Sequence, residues 1–247
     1  VALTTVPVQA KVTADEAAKL GTELTPLGGE KAGNADGSIP AWTGGITSAP
    51  AGYSAGDFHP DPYAGEKPEF VITAANYQQY ADQLSEGLKK MFETYPDTFK
   101  LPVYKTHRSA SNPQFVYDAT KENATRATLL DDGNGMAGAA VGIPFPIPAN
   151  GLEAIWNHIA RYRGPAVQRN GGQAAVTAGG DYNVIGFDEQ LLIQYSQENA
   201  TPESMLENNV LFMFKQKVTK PARLAGTALL VHETLDQVKE PDRKSVV

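Results

Sequence analysis

The sequence predicts an α+β fold in which helices pack on one side of a curved antiparallel sheet. Three patterns predict it. Ile185, Phe187, Leu191, Ile193 and Tyr195 share one parity, with Gln190 and Gln194 on the other, the period of two of a half-buried strand. Val210, Phe212, Phe214 and Val218 likewise share a face while Lys215 and Lys217 point away. Lys220-Pro221-Ala222-Arg223 then leads into a last strand from roughly 224 to 235, closing a long antiparallel hairpin with one wet face. Earlier, Asn76 to Tyr95 sets Tyr77, Tyr80, Ala81, Leu84, Leu88, Met91, Phe92 and Tyr95 within about 120° of one another at helical spacing. A stripe that wide needs a broad apolar surface, and a sheet face supplies one.

Taken in order, the chain starts extended and reaches a short helix at 14–20, with Thr13 and Glu16 as its capping box and Gly21 as its C-cap. From 21 to 68, ten Gly and six Pro exclude long elements, yet Trp42, Tyr53, Phe58 and Tyr63 are spaced through the stretch. An irregular belt pinned to a folded surface fits better than a linker. Leu101 to His107 and Gln114 to Tyr117 read as short strands, and Asp118 to Thr128 as a polar helix capped by Asp118. Asp131 to Gly142 is a Gly-rich loop; its DDGNG lacks the acidic spacing and closing Glu of a calcium loop and reads as a turn.

The segment from Gly142 to Pro165 has the firmest local logic. Pro144, Pro146 and Pro148 force an extended approach, Asn150 and Glu153 stand in capping-box position, and Gly164-Pro165 ends the helix between. Leu152, Ile155, Trp156 and Ile159 form its apolar stripe, with Asn157 and Arg161 directed outward. The helix reads as a plug over a large apolar region beneath Trp156. No repeat is evident. The polar end, VKEPDRKSVV, offers no closing strand for the hairpin edge, so the chain reads as one domain over 1–247 that is incomplete at its C-terminus.

Composition excludes several classes. A net charge of −7 argues against nucleic-acid binding, which needs a basic face for phosphates. No run approaches the roughly 20 apolar residues of a membrane span. The chain has no cysteine, which removes disulfides, thiolate metal sites and a Cys nucleophile. VALTTVPVQA is no signal peptide, so the protein is cytosolic or its signal has been removed.

VTADEAAKLGTELTPLGGEKAGNADGSIPAWTGGI, DPYAGEKPEFVITAANYQQYADQLSEG, YKTHRSA, GIPFPIP and GLEAIWNHIARYRG together resemble the N-terminal part of the family called domain of unknown function 1329. The resemblance implies a secreted, periplasmic protein of Gram-negative bacteria with a fold like the LolA/LolB lipoprotein carriers. There an unclosed half-barrel is covered by helices and acyl chains lie between. It also implies a longer protein, and genes that often sit beside envelope exporters of the resistance-nodulation-division type. No catalytic residues carry over.

The residues themselves name no reaction. His59, His107, His158 and His232 show no metal-ligand spacing, and there is no G-x-S-x-G elbow, Walker loop or GxGxxG turn. No cofactor or metal is expected. Arg108, Arg161 and Arg163 suit an anionic head group, or else a buried network tying plug to belt. The leading expectation is a non-enzymatic carrier of a lipid, fatty acyl chain or lipoprotein anchor. Its cavity would be floored by Phe187, Ile193, Phe212 and Phe214, roofed by Tyr80, Leu84 and Trp156, and rimmed by Arg108, Arg161 and Arg163. Two alternatives stand: a hydrolase of lipophilic substrates using His107 or His158 as base, and a structural accessory of an exporter.

Overall fold

The computed structural model describes residues 12–54, 56–236 and the backbone of 243–246. The chain divides into two compact units, Ala32–Ser111 in one, and the segments up to Lys31 and from Asn112 onward in the other. The belt expected at 21–68 holds no helix or strand among the described residues, and it runs from one unit into the other.

Helix α1 (Ala14–Ala17) opens with the expected capping box: Thr13 Oγ1 accepts from the Glu16 amide at 3.2 Å, and Glu16 Oε2 accepts from the Thr13 amide at 2.8 Å. The helix is shorter than expected. Ala17 and Leu20 bury themselves with Ala124, and Gly28 then passes so close to the Pro146 carbonyl that a Cβ would lie 1.7 Å from its oxygen.

In the unit Ala32–Ser111, β1 (Phe70–Ile72) pairs antiparallel with a later strand. The single helix expected over 76–95 is two pieces. A 3-10 segment, Tyr77–Gln83, ends at Leu84, which is extended; Ser85 then accepts from the Leu88 amide to cap α2 (Glu86–Thr94). Serine at an N-cap outcompetes helix continuation because its hydroxyl satisfies an otherwise orphaned donor. The apolar stripe of this stretch packs against residues of its own unit. Phe92 is fully buried, with ring centroids 5.2 Å from Tyr77 and 4.8 Å from Phe99, while Tyr80 stacks on Phe70 at 5.1 Å. The strand expected over 101–107 is confined to β2 (Leu101–Val103), the partner of β1. Trp42 pins the belt by donating Nε1–H to the Ala110 carbonyl at 3.0 Å, whereas Phe58 is 87% exposed.

The other unit resumes with α3 (Gln114–Arg126), so the strand expected at 114–117 is the first turn of a helix. Its buried face uses Val116, Thr120, Asn123 and Ala124, and the polar pair is fully engaged. Thr120 donates to the Val116 carbonyl and accepts from the Ile143 amide; Asn123 donates to the Ala140 carbonyl at 3.0 Å and accepts from the Ala140 amide at 3.3 Å. The stretch expected as a loop contains a hairpin: β3 (Thr128–Leu130) and β4 (Gly135–Ala137) flank a tight turn at 131–133 whose three residues all have positive φ.

Helix α4 (Gly151–Ile159) is capped by Asn150, which accepts from the Glu153 amide at 3.0 Å; Glu153 reaches back to the Ala149 amide, one residue earlier than in a standard box. Asn157, expected to face outward, holds the proline-rich approach instead, its amide group bonding both the N–H and the C=O of Phe145 at 2.8 and 2.6 Å.

The large sheet is a five-stranded antiparallel meander of β5 (Ala166–Val176), β6 (Tyr182–Leu192), β7 (Phe212–Lys220), β8 (Ala228–Glu233) and β9 (Arg243–Val246), with helix α5 (Pro202–Asn208) between β6 and β7. The α+β class with antiparallel strands is therefore observed, and no sheet among the described residues closes into a barrel. Where no closing strand was expected, β9 pairs with β8, Leu230 opposite Lys244. The core gathers Trp156, Ile193, Tyr195, Met136, Leu191 and Leu211. At its centre Tyr195 donates its hydroxyl to the Gly142 carbonyl at 2.7 Å.

Candidate functional site

The strand registers sort the sheet into two faces. On the core face Val167, Leu191, Phe214 and Val231 lie in one row. The next row is polar: Arg169 pairs with Glu189 at 2.7 Å, and Gln216 donates to the same carboxylate at 2.7 Å. This row lies in the parity that the sequence pattern marks as apolar. It is tolerated because each charge is matched within the row. Phe187 lies one row beyond it, opposite Val218 and half-buried.

The opposite face, expected to be wet, carries an apolar trough. One row holds Ala166, Leu192 and Met213 and ends at His232 on β8; the next holds Gln168, Gln190, Lys215 and Leu230. Between them lies a cavity of about 490 Å³. A second, of about 410 Å³, is lined by Gln194, Gln197, Ala200, Ser204, Met205, Val210 and Met213. The two adjoin at Met213, whose unbranched thioether side chain adapts to varied apolar shapes. Leu192, the last residue of β6, and Leu230, within β8, are 42% and 38% exposed, much for aliphatic side chains of a sheet. Both volumes fall in the range of about 300–1,000 Å³ typical of small-molecule sites.

The residues expected to form a cavity are distributed differently. Trp156 is 2% exposed and donates Nε1–H to the Gly133 carbonyl at 2.9 Å, in one core cluster with Ile193; Phe212 and Phe214 pack against that cluster. Of the helix stripe, Leu152 and Ile155 are exposed, at 49% and 58%. Tyr80 and Leu84 belong to the other compact unit, as does Arg108, which donates to the Ala32 and Pro40 carbonyls at 3.3 Å. Arg161 turns back on its own helix, donating to the His158 carbonyl at 2.6 Å. Arg163 is exposed; desolvation, then the charges of Arg161 and Arg169, lower its pKa. His107 meets the Glu66 carboxylate at 2.7 Å and lies flat on Tyr63 with ring centroids 3.8 Å apart. No group of three or more His, Asp or Glu among the described residues is arranged to hold a metal.

Sequence reasoning missed the trough because each strand contributes one or two apolar residues to an otherwise polar parity. Only the register of β5 to β8 collects them. The single available signal was the interruption of that polar parity by Leu192 and Met213.

The family described as Protein of unknown function (DUF1329) matches residues 71–246. An uncharacterized protein of Pseudomonas aeruginosa is 54% identical over 234 residues, covering 95% of this chain and 51% of its own length. The chain thus spans about half the length of that relative. No solved structure matches the chain.

Proposed function

Since this chain belongs to the DUF1329 family, whose function is unknown, we propose one from its geometry: a periplasmic carrier or receptor for a hydrophobic ligand such as a lipid, a fatty acyl chain or a lipoprotein anchor. In this reading the five-stranded meander is the half-barrel of a LolA/LolB-like carrier, with the ligand on the trough face of the sheet instead of between sheet and core helices. The protein is not an enzyme, and it works beside an inner-membrane exporter of the resistance-nodulation-division type.

The observation that carries the proposal is the pair of cavities sharing Met213, apolar along Leu192, Leu230, Met205 and Val210 and edged by amides. Each buried methylene contributes about 0.8 kcal/mol, so a chain of a dozen gains on the order of 10 kcal/mol before the costs of ordering. That suffices for carriage and still permits release. The test is mass spectrometry of lipid extracted from gently purified protein, beside Met213→Asp. A co-purifying acyl-chain compound that the variant lacks is the expected result. Protein that purifies empty and takes up no hydrocarbon probe would refute the proposal.

One observation favours a second reading, a hydrolase. Glu66 is placed to orient the His107 imidazole as carboxylates orient general bases, with Tyr63 fixing the ring plane. Hydrolysis of lipophilic esters that His107→Ala abolishes would replace the carrier reading with this one.

A further inference from the structure

Resting on the carrier reading, we infer that the trough takes a single-chain amphiphile with an anionic head group, the head held at Lys215 and the chain running over Leu192 and Met213 toward Met205. Three observations converge on it.

The first is charge. The protein carries a net −7, yet among the described residues no Asp or Glu lines either cavity, and the one ionisable side chain there is Lys215. A carboxylate in a trough of this kind would repel an anion; its absence next to a lysine selects for one.

The second is that Lys215 makes no ion pair with any described residue, in contrast to Arg169 on the other face of the sheet, which Glu189 neutralises. Lys215 stands in register with Gln190 on the adjoining strand and Gln168 on the next, about 5 Å from strand to strand, so its neighbours along the row toward β5 are neutral amides.

The third is spacing. The row of Ala166, Leu192 and Met213 begins two residues along the strands, about 7 Å away. A head group over Lys215 therefore delivers the first methylenes of its tail to Leu192 and Met213. The second cavity continues past Met213 with room for the remainder. The two cavities share a single lining residue, Met213, a junction that suits one tail.

The experiment uses the full 247-residue chain, with cis-parinaric acid and its methyl ester as fluorescent probes of equal tail and different head charge. The acid is expected to bind more tightly. Lys215→Gln should weaken the acid about tenfold, the worth of one charge-assisted hydrogen bond, and leave the ester unchanged. Lys217→Gln, one row further along beside Asp188, should change neither. Leu192→Asp should weaken both, with circular dichroism confirming the fold of each variant. Equal binding of acid and ester, or equal weakening of both by Lys215→Gln, overturns the head-group assignment while the carrier reading stands. Failure of both probes to bind the unaltered protein overturns the carrier reading itself.

Discussion

Replacing Tyr195 with phenylalanine isolates one hydroxyl in the middle of the core. The ring is fully buried and the hydroxyl donates to the Gly142 carbonyl at 2.7 Å. Phenylalanine keeps the ring and leaves that buried carbonyl without its donor, which costs about 1–3 kcal/mol near neutral pH. Alkaline pH adds a second, sharper signature. Burial pushes the Tyr195 phenol well above its ordinary value of 10.0. A group whose pKa is raised on folding contributes stability that is complete below its unfolded pKa and is lost as pH rises past it. There the unfolded chain releases a proton that the folded chain keeps. The loss approaches about 1.4 kcal/mol per pH unit, and the phenylalanine variant has none of it. The stability gap between the two proteins should therefore be constant up to about pH 9 and narrow by about 1.4 kcal/mol by about pH 11. Urea unfolding at a series of pH values, followed by Trp156 fluorescence in a Trp42→Phe background, measures it. A gap that stays constant across that range would refute the assignment of a buried, neutral tyrosine at the centre of the core.

Two further substitutions test the packing around it. Trp156→Ala removes a buried indole and its bond to Gly133, and should cost roughly 3–5 kcal/mol in urea unfolding; a loss under about 1 kcal/mol would remove Trp156 from the core. Asn123→Ala orphans the Ala140 amide, while the Ala140 carbonyl keeps the Gly142 N–H, and should cost about 1–3 kcal/mol, with faster amide exchange at Ala140 as its local readout.

What the sequence made legible was local or periodic. The caps at Thr13 and Asn150 depend on residues three apart in the chain; the Thr13 box forms as read, and at Asn150 the cap forms while Glu153 returns one residue early, to Ala149. The parity of Leu191, Ile193 and Phe214 predicts the core face because a strand has no other way to divide its side chains. The failures arise where tertiary contacts override pattern. Helix α3 buries Thr120 and Asn123, so its inward face is not hydrophobic and the amphipathic signal vanishes. The stripe at 76–95 was real, but its partners are aromatics of its own unit, and Ser85 interrupts it. The trough was invisible for a different reason: it is assembled across strands, and periodicity within one strand carries no information about register with the next.

The place of Ala32–Ser111, inserted between α1 and α3, bears on the order in which the molecule assembles during synthesis. Ala17 and Leu20 are buried by Ala124, a residue made about a hundred positions later. A four-residue helix has no stability alone, since nucleation costs more than its few bonds return. Helix α1 must therefore wait on the ribosome while the intervening segment, whose strands pair across fewer than about 35 residues, organises by itself. Helix α1 is then among the last elements of its unit to dock. Joined to its unit by one small apolar cluster, it is also the part expected to detach first under mild denaturant, well before the meander opens.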